Sequence, residues 1–292
     1  MKKIIFKGCG TAIATPFDEQ GVNLQEFAKL VEEQIKNEVD SIIVCGTTGE
    51  AATMTEEERL KTIECAVRIS NGRVPIIAGT GSNNTKAVIE MNKKVQKIGV
   101  DGILVVTPYY NKTTQNGLIM HYSEIAKNTS LPIILYNVPG RTGVNIKPET
   151  ALELSKIENI VAIKEASGDL SQIAKTINLC KDNLNIYSGN DDQIIPILSL
   201  GGIGVISVLS NVKPKYTHDM CYSFFNKETE KAAKMQIDAI PLINALFSEV
   251  NPIPVKEALN ILGYNFGEPR LPLIKLSKEN RAKLEVELKN LK

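Results

Sequence analysis

Short apolar runs alternate along the chain with longer amphipathic ones. The apolar runs fall at 10–14, 41–45, 75–78, 102–106, 132–136, 160–164, 185–188 and 203–208. Most are rich in valine and isoleucine and read as continuous rather than as every-second-residue patterns. That is the pattern of parallel strands covered on both faces. Between them lie segments with helical spacing, at 24–36, 59–69, 85–98, 116–127, 148–156, 170–180 and 193–200, and 213–225 follows the last run. Asn23 stands in the cap position of the first. The string Thr55, Glu56, Glu57, Glu58 is a capping-box signature leading into the second. Eight strand-then-helix repeats predict an α/β fold, a (β/α)8 TIM barrel. An open doubly wound sheet fits the same alternation. Three more helical segments, 229–247, 254–262 and 277–291, do not continue the repeat. The expected organisation is therefore a catalytic barrel over 1–226 with a C-terminal helical region over 227–292.

Composition narrows the class. The chain has 292 residues, 43% apolar and 23% charged, an ordinary globular balance. A core of that size needs no disulfide or structural metal. Basic and acidic residues number 34 and 33, for a net charge of +1. This offers no basic excess for nucleic acid or an anionic membrane. The five cysteines, Cys9, Cys45, Cys65, Cys180 and Cys221, are odd in number and scattered, which predicts free thiols in a reducing compartment. The two histidines, His121 and His218, are far apart. They argue against a His-rich metal site and leave few candidates for a His-based triad. The apolar start at 4–6 is too short for a signal peptide, and no run approaches a membrane span. The expected location is cytoplasmic.

In a barrel, chemistry belongs at the carboxyl ends of the strands. Lys164 ends the apolar run 160–164. Such surroundings favour the neutral amine, which attacks ketones to give an imine, an electron sink. From position alone, a strand-end lysine pointing to water, or paired with Glu165, is the more common reading. Tyr136 closes another apolar run. Its phenol would shuttle protons if it met a reacting centre, and would be a core tyrosine with its hydroxyl at the rim otherwise. Tyr109 and Tyr110 invite the same two readings. The turn Gly46, Thr47, Thr48, Gly49, Glu50 offers backbone N–H groups and two hydroxyls to a small carboxylate. It lacks the nucleotide-binding P-loop pattern, and Gly79, Thr80, Gly81, Ser82 misses the dinucleotide fingerprint. Gly201, Gly202, Ile203, Gly204 precedes a strand and reads as a tight turn. Arg141, among Pro139, Gly140, Thr142 and Gly143, suits bidentate carboxylate capture, or is simply a solvated arginine.

Five separated motifs occur in order: GTTGE at 46–50, TPYYN at 107–111, YNVPGRTG at 136–143, IKEASGD at 163–169 and SGND at 188–191. Together they resemble the N-acetylneuraminate lyase and dihydrodipicolinate synthase family of class I aldolases, along the chain from about residue 4 to the C-terminal helices. The double threonine of 46–50 and the presence of Arg141 are similar to the synthase branch. The resemblance implies that Lys164 forms an imine with pyruvate and that Tyr136 transfers protons. It implies a relay in which Thr47 links Tyr136 to Tyr110, with Tyr110 arriving from a neighbouring subunit. Thr48 would hold the pyruvate carboxylate, Gly189 and Ile206 would shape that pocket, and Arg141 would take the carboxylate of L-aspartate-4-semialdehyde. The implied assembly is a homotetramer of two tight dimers. No organic cofactor or metal is implied.

Lysine-inhibited members of this family hold lysine with an acidic residue early in the third helix and with polar or aromatic residues after the GTTGE motif. Here those positions are Ala87, Ala51 and Glu56, while Asn83 and Tyr109 remain. With no carboxylate at 87, weak or absent lysine inhibition is expected. Strong inhibition of the purified enzyme by sub-millimolar L-lysine (on the order of ordinary enzyme–ligand affinities) would contradict this. Asn190, where aspartate is frequent, is a smaller departure. Two other classes stay open: a pyruvate-dependent aldolase acting on a sugar acid, which shares Lys164 and Tyr136, and a non-catalytic barrel, which forms no covalent adduct.

Overall fold

The computed structural model describes residues 2–291. Eight parallel strands close on themselves as a barrel: Gly8–Ala12, Ser41–Val44, Ile76–Gly79, Gly102–Val106, Ile133–Asn137, Ile160–Glu165, Asn185–Ser188 and Gly204–Ser207. Each pairs in parallel with the next, and the eighth pairs with the first, Gly8 opposite Gly204. The closed ring decides against the open sheet. The first strand begins two residues before the predicted run, because Gly8 and Cys9 already pair with Gly204 and Val205.

The strand sequences look continuous because both faces are apolar. Ala12, Ile43, Ile77, Leu104, Ile134, Ala162, Tyr187 and Ile206 fill the lumen. Cys9, Ile42, Val44, Ile76, Ile103, Ile133, Leu135 and Ile163 face the helices. Phe6 stacks on Tyr187 at 4.3 Å and accepts its hydroxyl hydrogen bond at 2.6 Å, which plugs the lumen.

Helices follow where their caps predict. Asn23 Oδ1 accepts from Glu26 N at 3.0 Å and starts Leu24–Lys36. The capping box at Thr55 and Glu58 closes in both directions, at 3.2 and 2.9 Å. Its helix, Glu56–Ser70, therefore begins three residues earlier than the apolar spacing indicates. A small hairpin, Phe17–Asp18 with Gly21–Val22, and a short helix, Pro139–Thr142, were not predicted. The helices Thr229–Leu246, Ile253–Ile261 and Lys278–Asn290 join the same core as the barrel through residues such as Leu242, Leu259 and Leu284. All five cysteines are buried free thiols. No helix among the described residues is long and apolar enough to cross a membrane.

His121, on the helix Gln115–Lys127, gives the fold an acid sensitivity. Its Nδ1 lies 2.8 Å from Thr85 Oγ1, while Nε2 is buried without a partner. Burial pushes the imidazole from 6.5 down to about 4. The folded chain thus prefers neutral His121, and this preference is fully present above pH 6.5 and lost as the pH falls toward 4. The expected contribution is up to about 3 kcal/mol. Urea denaturation across pH 7 to 4 measures it, and the decline should be shallower in His121→Gln.

Candidate active site

Lys164 reaches the lumen because its strand carries an irregularity. Pairing runs Ile133 to Ile160 and then Ile134 to Ala162, skipping one residue. Val161 and Ala162 consequently both face the barrel interior. Strict alternation from the outward-facing Ile160 would turn Lys164 toward the helices. The extra residue reverses that phase. Lys164 then sits opposite Tyr136 across the ladder, with its Nζ 4.4 Å from the tyrosine ring centroid. Both are over 90% buried. Among the described residues the Lys164 amine has no hydrogen-bond or ion-pair partner, so the pairing with Glu165 is excluded: Glu165 faces the other way.

The turn at 46–50 is set by two residues in the left-handed region, Cys45 at φ 56° and Glu50 at φ 53°. Such a conformation costs a non-glycine residue energy and persists only where the surroundings enforce it. The enforcement at Glu50 is visible. Its carboxylate, almost fully buried, accepts from Lys256 Nζ at 2.7 Å and from the backbone of Arg270 at 3.0 Å. Lys256 also donates to the Glu268 carbonyl at 3.2 Å. The Lys256 ammonium and the Arg270 guanidinium both approach the Phe17 ring, at 4.2 and 4.1 Å from its centroid. Burial pulls the Lys256 amine below the usual lysine range, and Glu50 opposes that pull. Beside the turn, burial pushes the Cys45 thiol up to about 12, which leaves it un-ionised and unreactive at neutral pH.

Two adjoining cavities open at this end of the barrel. The deeper, of about 70 Å³, is lined by Lys164, Tyr136, Thr47, Thr48, Arg141 and Gly189, among others. The larger, of about 520 Å³, shares Thr47, Tyr136 and Arg141 and extends past Ala51 and Tyr109 toward Leu273. Gly189 has to be glycine: a Cβ there would lie 3.1 Å from the Lys164 side chain and 2.7 Å from Ala166 Cβ. Of the eight site residues read from the sequence, six therefore converge. Ile206 belongs to the apolar lumen below and lines neither cavity. Tyr110 lines neither and is 91% exposed on its own chain. No hydrogen bond joins the Thr47 and Tyr136 hydroxyls among the described residues.

Arg141 lies on the short helix Pro139–Thr142 rather than in a plain turn. Its Nη2 donates to the Asn251 carbonyl at 3.0 Å, and Asn251 Nδ2 donates to Thr48 Oγ1 at 3.0 Å. One residue of the C-terminal region thus joins the two groups suited to carboxylates. Neither Asn251 nor Lys256 was singled out from the sequence. The available signal was a lysine within the apolar stretch Ile253–Ile261. Glu56, one of the positions compared for lysine binding, is held by Lys94 at 2.5 Å. The carboxylate and imidazole atoms of Glu38, His218 and Asp219 lie within 4.8 Å of one another, away from both cavities, and Lys215 already bridges the two acids.

Residues 5–291 match the model of the Dihydrodipicolinate synthetase family. The chain belongs to that family. Over 285 residues it is 57% identical to 4-hydroxy-tetrahydrodipicolinate synthase 1 of Clostridium acetobutylicum, covering 98% of this chain and 97% of that protein. Among solved structures, dihydrodipicolinate synthase of Thermotoga maritima superposes with a TM-score of 0.97 at 44% identity, over 99% of each chain. The chloride-inhibited enzyme of Acinetobacter baumannii, solved with pyruvate, superposes at 0.96 and 42%, again over 99% of each chain.

Proposed function

We propose that this site condenses pyruvate with L-aspartate-4-semialdehyde through a Schiff base on Lys164. The activity is that of a 4-hydroxy-tetrahydrodipicolinate synthase, a lyase of diaminopimelate and lysine biosynthesis, in keeping with the full-length relatives. Their names give no support to a sugar-acid aldolase. The observation that carries the mechanism is the Lys164 amine, buried, without a hydrogen-bond partner among the described residues and 4.4 Å from the Tyr136 ring, at the end of a cavity shared with Thr48 and Arg141.

The chemistry follows from those groups. The Lys164 amine adds to the pyruvate ketone, and loss of one water gives the iminium. Loss of a methyl proton gives an enamine, whose terminal carbon attacks the aldehyde. The amino group of the semialdehyde then displaces Lys164 from the imine carbon, which closes the ring and restores the free amine. Tyr136 is placed beside the nitrogen to move the protons these steps need. Thr47 and a Tyr110 from a second subunit extend that path to solvent. The exposure of Tyr110 supports such a crossing, and the homotetramer of two tight dimers is carried over from the family resemblance. Thr48 holds the pyruvate carboxylate, with Gly189 shaping the wall beside it and Ile206 packed in the apolar lumen beneath. Arg141 holds the carboxylate of the aldehyde substrate. We read 1–226 as the catalytic barrel, 227–292 as the helical region that buttresses its mouth, and the cytoplasm as the place of action.

Arg141→Ala separates the two carboxylate roles. It should raise KM for the semialdehyde by about 100-fold, the size expected for losing a charge-assisted pair. The yield of borohydride-trapped pyruvate adduct should be unchanged. Loss of the adduct in this variant would assign Arg141 to pyruvate instead.

A further inference from the structure

The residues that follow the two reacting ones point away from the site, and they bond to each other. Tyr136 pairs with Lys164, and the next step of the same ladder pairs Asn137 with Glu165. Asn137 Nδ2 donates to both Glu165 oxygens, at 3.0 and 3.1 Å, and to Asn145 Oδ1 at 2.8 Å. Ile146 N donates to Asn137 Oδ1 at 2.9 Å, and Ser167 N to Glu165 Oε1 at 2.9 Å. Asn137 is fully buried and Glu165 is 2% exposed. Asn145 continues outward to Gln172 at 2.6 Å. No reacting group touches Asn137 or Glu165.

We propose that Asn137 and Glu165 are positioning residues, a buried clamp behind the sheet that fixes the register of the fifth and sixth strands and so holds the Lys164 amine beside Tyr136. Two features make the clamp necessary. The sixth strand already carries one skipped residue, so its register is open to slippage, and a shift of one residue would turn Lys164 out of the lumen. A burial this complete, with both carboxylate oxygens facing the Asn137 amide and one also facing Ser167 N, admits one arrangement and penalises the others. A displacement of about 1 Å between reacting groups costs on the order of 100-fold in rate.

The inference rests on the assignment of Lys164 and Tyr136 as the reacting pair, and its test keeps the two apart. Glu165→Gln sets one amide N–H against another donor. It should lower kcat about 100-fold while KM for pyruvate stays within about threefold. Should that variant not fold, Glu165→Asp, which withdraws the carboxylate by one methylene, carries the same expectation. The exchange Asn137→Asp with Glu165→Gln restores a donor facing an acceptor and should return kcat to within about tenfold of the parent. Asn145→Ala strips the bonds that Asn145 makes to Asn137 and Gln172 and leaves the Asn137–Glu165 contact itself in place. It should lower the melting temperature and leave kcat at the parent value. Borohydride trapping of pyruvate on Lys164 of the parent enzyme is run alongside. An adduct in the parent with parent-like kcat in the Glu165 variants, or no recovery of kcat in the folded double exchange, overturns the clamp and leaves the Schiff base standing. No adduct on Lys164 in the parent overturns both.

Discussion

Lys164→Ala should fold normally and lose turnover by on the order of 10⁴- to 10⁶-fold, the scale seen when a covalent nucleophile is removed. The normal folding follows from the environment. The amine has no hydrogen-bond or ion-pair partner among the described residues, and its nearest aromatic contact is Tyr136 at 4.4 Å. Asp191, the buried carboxylate that feels its charge, keeps the hydrogen bonds from Val208 N and Leu209 N at 3.0 and 2.8 Å when the amine is gone. Steady-state assay with pyruvate and the semialdehyde, beside urea denaturation of the same preparation, checks both halves. A variant retaining more than about 1% of parent turnover would take the nucleophile's role from Lys164.

Lys256→Met is the complementary case, a large effect on stability remote from the reacting atoms. The Lys256 and Glu50 side chains are each 1% exposed and 2.7 Å apart. Removing one partner strands a buried carboxylate, at a cost of about 3–5 kcal/mol. Urea denaturation should show this loss, and the double variant Glu50→Gln, Lys256→Met should recover much of it, since neither charge is then left alone. Activity should not recover in parallel. Glu50 is held in a left-handed conformation by this pair and by Arg270 N, and the turn it ends carries Thr47 and Thr48. The double variant is therefore expected to regain stability with KM for pyruvate still raised. Full recovery of both would reduce the ion pair to a stability element.

The barrel was legible because its signals are local. Asn23 and Thr55 mark helix starts through bonds spanning three residues, and the Val- and Ile-rich runs mark strands through their own composition. The convergence of Lys164, Tyr136, Thr48 and Arg141 was legible through fold logic, since parallel strands bring all their carboxyl ends to one rim. What escaped the sequence is non-local. The partner of Glu50 lies 206 positions away in Lys256, and Thr48 meets Asn251 across 203. No spacing rule connects such pairs. The inward turn of Lys164 depends on a skipped residue between Ile160 and Ala162, which an all-apolar run conceals because both faces of the strand are apolar. The place of Tyr110 was read only through the family resemblance. Its proposed partners belong to another copy of the chain, and on its own chain it is an exposed tyrosine.

The bond between Lys164 and pyruvate is covalent and can be trapped by reduction. Pyruvate is incubated with the enzyme, sodium borohydride is added, and the protein is digested and mapped by mass spectrometry. One reduced pyruvyl adduct per chain is expected, on the peptide that contains Lys164, and it should disappear in Lys164→Ala. An adduct on any other lysine, or none at all from active enzyme, would contradict a Schiff base on Lys164.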